Sequence, residues 1–175
     1  MIKDDVKIYK LTDFKDLKKW VNWLNDKTVT KYSEQRFYKH NLSTQRKFIK
    51  KKISDKSALP FKIYYKKIFV GLVELGNIDF NHSNCEIMYF IGDKKLWGKG
   101  IASRAIKLAI LYARDKLKIK KIIAGTYKSN IASQKVLLNN GFKIEGKIKN
   151  YFKIFLKNKN FKDAKIIFGL DCIKK

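Results

Sequence analysis

Lys94-Lys95-Leu96-Trp97-Gly98-Lys99-Gly100-Ile101-Ala102 joins a segment of strand character, Cys85 to Ile91, to one of helix character, Ile101 to Leu117. Two glycines one residue apart at a helix mouth leave several backbone N–H groups unobstructed, and the helix dipole adds positive potential there. Such a turn is a seat for a pyrophosphate, and the flanking lysines strengthen the attraction. A Gly-x-Gly by itself also serves any turn that needs a positive φ. The neighbouring segments therefore decide the reading.

On the upstream side, Cys85, Ile87, Tyr89 and Ile91 alternate with Glu86, Met88 and Phe90, the period of a strand with one buried face. Downstream, Ile101, Ala105, Leu108 and Tyr112 form one helical row and Ala102, Ile106, Ala109 and Ala113 the next. Together they give a wide stripe with small residues for close packing on a sheet. Lys121 to Thr126 reads as another strand. Ser129-Asn130 caps a short helix that stops at Asn139-Asn140-Gly141, with Gly141 as a left-handed C-terminal stop. Phe142 to Ile154 and Phe161 to Leu170 read as the last strands, joined by a basic turn at Lys157 to Asn160.

Toward the N-terminus, Val6 to Leu11 predicts a strand. Thr12 or Asp13 caps a helix carrying Leu17, Trp20, Val21 and Leu24, which Asn25-Asp26 ends. Val29 to His40 is irregular, and a second helix covers Ser43 to Ile53. Leu59 to Tyr65 and Ile68 to Leu75 form a hairpin over Lys66-Lys67, followed by the loop Asp79 to Asn84. The order β-α-α-β-β-β-α-β-α-β-β predicts an α/β fold: a mixed, mostly antiparallel sheet with helices on both faces.

Composition sets the outer bounds. A chain of 175 residues, 45% hydrophobic and 14% aromatic, reads as a single globular domain, residues 1–175, despite 32% charged residues. The opening Met1-Ile2-Lys3-Asp4-Asp5 is charged and lacks a signal peptide's apolar stretch, and no window approaches the roughly 18 apolar residues of a membrane span. A cytoplasmic setting is expected, with no membrane partner. Cys85 and Cys172 form no disulfide framework, and the two cysteines and two histidines show no metal-ligand spacing. The net charge of +26 invites a nucleic-acid reading. Against it, the arginines are only Arg36, Arg46, Arg104 and Arg114, and the lysines are spread along the chain rather than gathered in a block. No nucleic-acid partner is expected. The positive field does concentrate anionic ligands.

With the glycine turn and the capped second helix in view, the chain resembles the GNAT superfamily of N-acetyltransferases. The family's cofactor motif, Gln/Arg-x-x-Gly-x-Gly/Ala, corresponds to Lys95-Leu96-Trp97-Gly98-Lys99-Gly100. Its second motif, Asn-x-x-Ser followed by a hydrophobic run and Gly-Phe, corresponds to Asn130-Ile131-Ala132-Ser133 and Asn140-Gly141-Phe142. Trp97 to Ala102, Trp23-Leu24-Asn25-Asp26 and Asn77-Ile78-Asp79 resemble the Rim-type and amino-sugar branch. Two positions depart from the pattern. Lys95 stands where Gln or Arg is usual, and Leu137 stands where many members carry the tyrosine that protonates the leaving thiolate.

The resemblance implies transfer of acetyl from acetyl-CoA to a primary amine, with no metal. It implies that the fourth and fifth strands splay after a bulge in the fourth. Backbone groups of Phe90, Ile91 and Gly92 then hold the pantetheine arm, and Lys95, Leu96, Trp97, Gly98, Lys99, Gly100, Ile101 and Ala102 wrap the pyrophosphate. Asn130 reads either as a pantetheine contact or as an N-cap. Ser133 is the candidate acid for the departing sulfur. Glu86 is the candidate general base, as a buried carboxylate of raised pKa, with Glu34 and Glu74 as competitors. The acceptor pocket is expected from the two early helices, the Val29 to His40 segment and the final hairpin. There Tyr32, Glu34, Gln35, Arg36 and His40 are the substrate-binding candidates, suited to sugar hydroxyls or a phosphate. The expected acceptor is an amine on a nucleotide-linked amino sugar. The alternatives are a Rim-type protein N-terminus and, from another class, a non-catalytic nucleic-acid-binding protein. An exposed strand edge leaves a homodimer open.

Overall fold

The computed structural model describes residues 5–156 and 159–172. Among the described residues, seven strands form one sheet in the order β1-β2-β3-β4-β5-β7-β6. They are β1 (Val6–Lys10), β2 (Leu59–Tyr65), β3 (Ile68–Asp79), β4 (Asn84–Ile91), β5 (Lys121–Tyr127), β6 (Lys143–Leu156) and β7 (Lys159–Asp171). The helices are α1 (Leu17–Leu24), α2 (Leu42–Ser54), α3 (Ile101–Asp115) and α4 (Ile131–Leu138). The element order matches the one predicted. Every pairing is antiparallel except β4 with β5. Of the final turn, Lys157 and Asn158 lie outside the described residues, as do Met1 to Asp4.

The sheet separates two apolar clusters. Alternation along β2, β3 and β4 puts Ile63, Val73, Leu75, Cys85 and Ile87 on the face covered by Ile101, Ala105, Ile106 and Ala109 of α3. The alanines let that helix lie close to the strands. Phe69 and Leu72 point the other way, against Trp20, Val21, Trp23 and Leu24 of α1 and Ile49 of α2. Cys85 and Cys172 are both free and buried, as small core residues. No helix among the described residues is long and apolar enough to cross a membrane.

The first helix starts later than the sequence suggested. Asp13 does not cap it. Its carboxylate instead accepts from the Lys15 amide at 2.8 Å and pairs with the Lys62 ammonium at 2.5 Å. Lys62 is buried on β2, and a buried ammonium needs a partner more than a helix end needs a cap. That hydrogen bond from Lys62 holds the Asp13 carboxyl below its ordinary pKa. The chain then enters α1 through Asp16 in the left-handed region. For α2, Asn41 and Thr44 form a reciprocal capping box, which moves its start to Leu42.

Candidate active site

The site is built on a short joint. β4 pairs with β5 only at Asn84–Lys121, Cys85–Ile122 and Glu86–Ile123, after which the two strands separate. The expected splay is present. The register shifts lie opposite Ile63/Tyr64 and between Gly76 and Asp79, so the extra residues belong to β3 and not to β4.

Ladder alternation then decides which backbone groups face the cleft. The Gly92 N–H donates to the Val70 carbonyl at 2.9 Å, and the β3–β4 register is constant from Gly71–Ile91 to Gly76–Glu86. In an antiparallel pair this turns Phe90 and Gly92 toward β3, and Tyr89 and Ile91 toward the cleft. Among the expected arm-binding backbone groups, the Ile91 amide therefore faces the cleft, while Phe90 and the Gly92 amide face the sheet. The Ile91 carbonyl accepts from the Trp97 indole N–H at 2.8 Å, which fixes the glycine turn against the end of β4.

Leu96 to Ala102 forms an open rim at that end. Asp93 caps a 3-10 turn over Lys94–Leu96. Gly98 and Gly100 have φ of 76° and 71°, and a Cβ at either position would meet nothing within 4 Å. Gly100 is the N-cap of α3 and brings no side-chain cap, so the amides of Ile101 and Ala102 at the helix start are uncapped by any side chain. Lys95 and Lys99 are exposed beside them. This is the chemistry of an anion seat.

Across the cleft, the Asn130 side-chain oxygen accepts from the Ser133 amide at 3.2 Å, so Asn130 is an N-cap of α4. The Ser133 hydroxyl lies 2.7 Å from the Tyr89 phenol, bridging β4 and α4. Burial pushes the Tyr89 phenol up to about 12, against the opposing hydrogen bond with Ser133. Leu137 is only 1% exposed and belongs to the core. Asn140 donates to the Ser103 hydroxyl at 2.9 Å and ties the end of α4 to α3.

The loop before α4 is anchored by Asp163, which accepts from the Ser129 amide at 2.9 Å and from its hydroxyl at 2.7 Å. Burial raises the Asp163 pKa, but the hydrogen bonds from Ser129 and Ala164 outweigh it, and the net displacement is downward. A depressed folded-state pKa gives stability that is present above the ordinary aspartate value near 4 and lost as pH falls through the lower folded value. Thermal melts should therefore show part of the acid destabilisation below about pH 4 missing in Asp163→Asn. An unchanged pH profile in that variant would remove Asp163 from this role.

Glu86 sits at the last paired rung, the vertex of the splay, but it is exposed rather than buried. The reason is alternation: its neighbours Cys85 and Ile87 take the core face, which turns Glu86 out. Glu74 is paired with Lys52 at 2.6 Å.

The predicted acceptor residues divide into two groups. Glu34 and Arg36, on a 3-10 turn over Glu34–Phe37, meet at Tyr127 of β5. The Tyr127 hydroxyl donates to the Glu34 carboxylate at 2.9 Å and accepts from the Arg36 guanidinium at 2.7 Å. Arg36 also reaches the Lys153 carbonyl on β6 at 2.8 Å. The Tyr127 ring stacks on Phe152 at 3.7 Å, with Tyr32 at 5.4 Å. Burial above all, helped by Glu34 and opposed by the hydrogen bond from Arg36, pushes the Tyr127 phenol up to about 12, so it stays a donor to the carboxylate. Gln35 and His40 do not join this cluster. His40 exchanges hydrogen bonds with Asn25, and its ring meets the Gln35 carbonyl at 2.9 Å, bracing the end of α1. Tyr127, Phe152 and Tyr89 join these clusters without being singled out by the sequence pattern. The one local signal for Tyr127 is its place at a strand end directly before the Ser129-Asn130 cap.

Known proteins carry the same frame. A spermidine N(1)-acetyltransferase from Escherichia coli (strain K12) is 33% identical over 104 residues, 59% of this chain and 55% of that protein. The probable N-acetyltransferase YjcK of Bacillus subtilis (strain 168) is 41% identical over 68 residues, 39% of this chain and 37% of that protein. The chain thus spans about a third to just over half of the length of these relatives. A crystal structure of spermidine N-acetyltransferase from Vibrio cholerae, in complex with CoA and spermine, superposes with a TM-score of 0.81. It is 24% identical, and the match covers 95% of both chains. The microcin C7 self-immunity acetyltransferase MccE, in complex with acetyl-CoA and AMP, gives 0.80 at 23% identity, over 97% of this chain and 93% of that one. These two structures share the fold. Residues 7–143 match the acetyltransferase (GNAT) domain family, and on that match and the cleft geometry the chain belongs to the GNAT acetyltransferase domain family.

Proposed function

We propose that the chain is an acetyl-CoA-dependent N-acetyltransferase acting on the primary amine of a small molecule. The observation that carries this reading is the three-residue joint of β4 and β5 opening onto the uncapped start of α3. The residues fit the donor. The open turn from Leu96 to Ala102 would hold its pyrophosphate, and the cleft-facing backbone of Tyr89 and Ile91 would hold its arm. When bound, acetyl-CoA supplies an acyl carbon already activated as a thioester. The chain's own residues orient the arm and line up the amine opposite it. Glu86, exposed at the vertex, would pass the amine's proton to water.

For the acceptor, a nucleotide-linked amino sugar is the first reading. The formal net charge of +26 draws anions and repels polycations, while the Arg36 guanidinium is itself engaged by Tyr127 and the Lys31, Ser33 and Lys153 carbonyls. A polyamine is the second reading, favoured by the Escherichia coli relative and by Glu34 among the rings of Tyr32, Tyr127 and Phe152. The Arg36 guanidinium, on the same tyrosine hydroxyl, offsets that carboxylate.

Saturating acetyl-CoA is expected to raise the melting temperature, since a ligand at about 100 times its Kd adds about 2.7 kcal/mol. No stabilisation at millimolar acetyl-CoA would overturn the transferase reading. An acetylation screen of nucleotide-linked amino sugars, spermidine and N-terminal peptides then separates the acceptors. Turnover confined to spermidine would replace the first acceptor by the second.

A further inference from the structure

We propose that Tyr89, held across the cleft by Ser133, is the group that delivers a proton to the sulfur departing from the acetyl group. This rests on the transferase reading above and assigns a residue to it. The anion seat lies beyond the C-terminal end of β4, so an arm entering from there runs back along β4 from Ile91 toward the closed vertex at Glu86. Tyr89 lies between those limits on the strand, with its backbone facing the cleft and its phenol bridging to the first turn of α4. The α4 position at which the family's tyrosine would stand is Leu137, buried in the core, so the phenol reaches the cleft from the opposing strand.

Either hydroxyl can donate along the short contact of the bridge. The Tyr89 oxygen is 2.7 Å from the Ser133 hydroxyl and 3.3 Å from the Ser133 carbonyl. A carbonyl only accepts, and the longer contact is a weak one. With Ser133 donating along the short contact, the phenol proton is left with the long one and is free to turn into the cleft. A phenol is a far stronger acid than an aliphatic hydroxyl, and a donor on its oxygen stabilises the phenolate that forms. Ser133 is in this view the positioning residue, itself fixed by Asn130. In the transfer the nitrogen–carbon bond forms, the carbon–sulfur bond breaks and the electron pair leaves on sulfur. The Tyr89 proton goes to that pair, and the proton shed by the amine, passed through water, restores the phenol.

The test uses the full chain and its variants Tyr89→Phe, Ser133→Ala and the pair combined. CoA and desulfo-CoA are titrated calorimetrically at alkaline pH, where the free thiol is largely ionised. The wild type is expected to prefer CoA by about tenfold, the size of one hydrogen bond to a charged group. The preference should vanish in Tyr89→Phe, shrink in Ser133→Ala, and in the double variant equal that of Tyr89→Phe alone. Unchanged affinity for desulfo-CoA in all four proteins shows that the cleft is intact. Turnover should fall about 100-fold in Tyr89→Phe at unchanged KM for acetyl-CoA. A CoA preference that survives in Tyr89→Phe overturns the assignment, as do additive losses in the double variant. If the wild type binds neither ligand, the transferase reading itself falls and takes this one with it.

Discussion

Gly100→Val is expected to remove measurable acetyl-CoA binding while leaving most of the folding stability in place. At φ 71° the backbone sits where a β-branched residue is strained by about 1–2 kcal/mol. Nothing lies within 4 Å of the position a Cβ would take, so the new side chain meets no protein atom there. It stands instead in open space beside the uncapped start of α3, where an anion would be seated. Displacing an anion from two amides there forfeits about 1.5–3 kcal/mol each, a loss of about 100-fold or more in affinity. Calorimetry against acetyl-CoA, with circular dichroism melts as the control, measures both halves. Full affinity in the variant would show that the anion sits elsewhere.

Gly92→Ala should do the reverse, costing stability first. A Cβ at Gly92 would fall inside the indole ring of Trp23, and the Gly92 amide is fixed by its bond to Val70. Trp23 has little room to yield, because its ring is held against Phe69 at 5.1 Å and Phe90 at 6.3 Å. Overpacking of this kind costs about 3 kcal/mol, which for a chain of this size lowers the melting temperature by about 10 °C. Gly98→Ala is the matched control, with an open position and backbone strain alone. A Gly92→Ala variant melting within a degree of the wild type would mean that α1 is free to shift away from the sheet.

The contrast between these two glycines shows what a linear reading could and could not reach. Gly98 and Gly100 act through local backbone conformation, which a Gly-x-Gly before a periodic helix announces. The element order followed the same way from periods of 2 and 3.6 residues. Gly92 acts through Trp23, far away in the chain, and nothing local marks it. Alternation gives the face of Tyr89, yet its bond to Ser133 is a product of how α4 returns over the splay. The meeting of Glu34, Arg36 and Tyr127 is tertiary in the same sense. Alternation likewise gives the strand and face of Glu86, but its exposure depends on what covers that face. Asp13 looked like a helix cap because no local pattern reveals the buried Lys62 across from it.

The brevity of the β4–β5 joint gives the sheet the mechanics of a lever. From Glu86 to Ile91 the strand extends about 17 Å beyond the last paired rung, so a rotation of about 5° at the joint moves its tip by about 1.5 Å. The aperture along the arm's path is thus a sensitive dimension, and the backbone pairing that sets the joint does little to hold its far end. Beside the Tyr89–Ser133 bridge, that task falls to the contact between α3, which packs on β1, β3 and β4, and α4, which packs on β5. The Asn140–Ser103 hydrogen bond lies in this contact. Side chains well away from the reacting atoms therefore act as the strut that calibrates how wide the cleft stands.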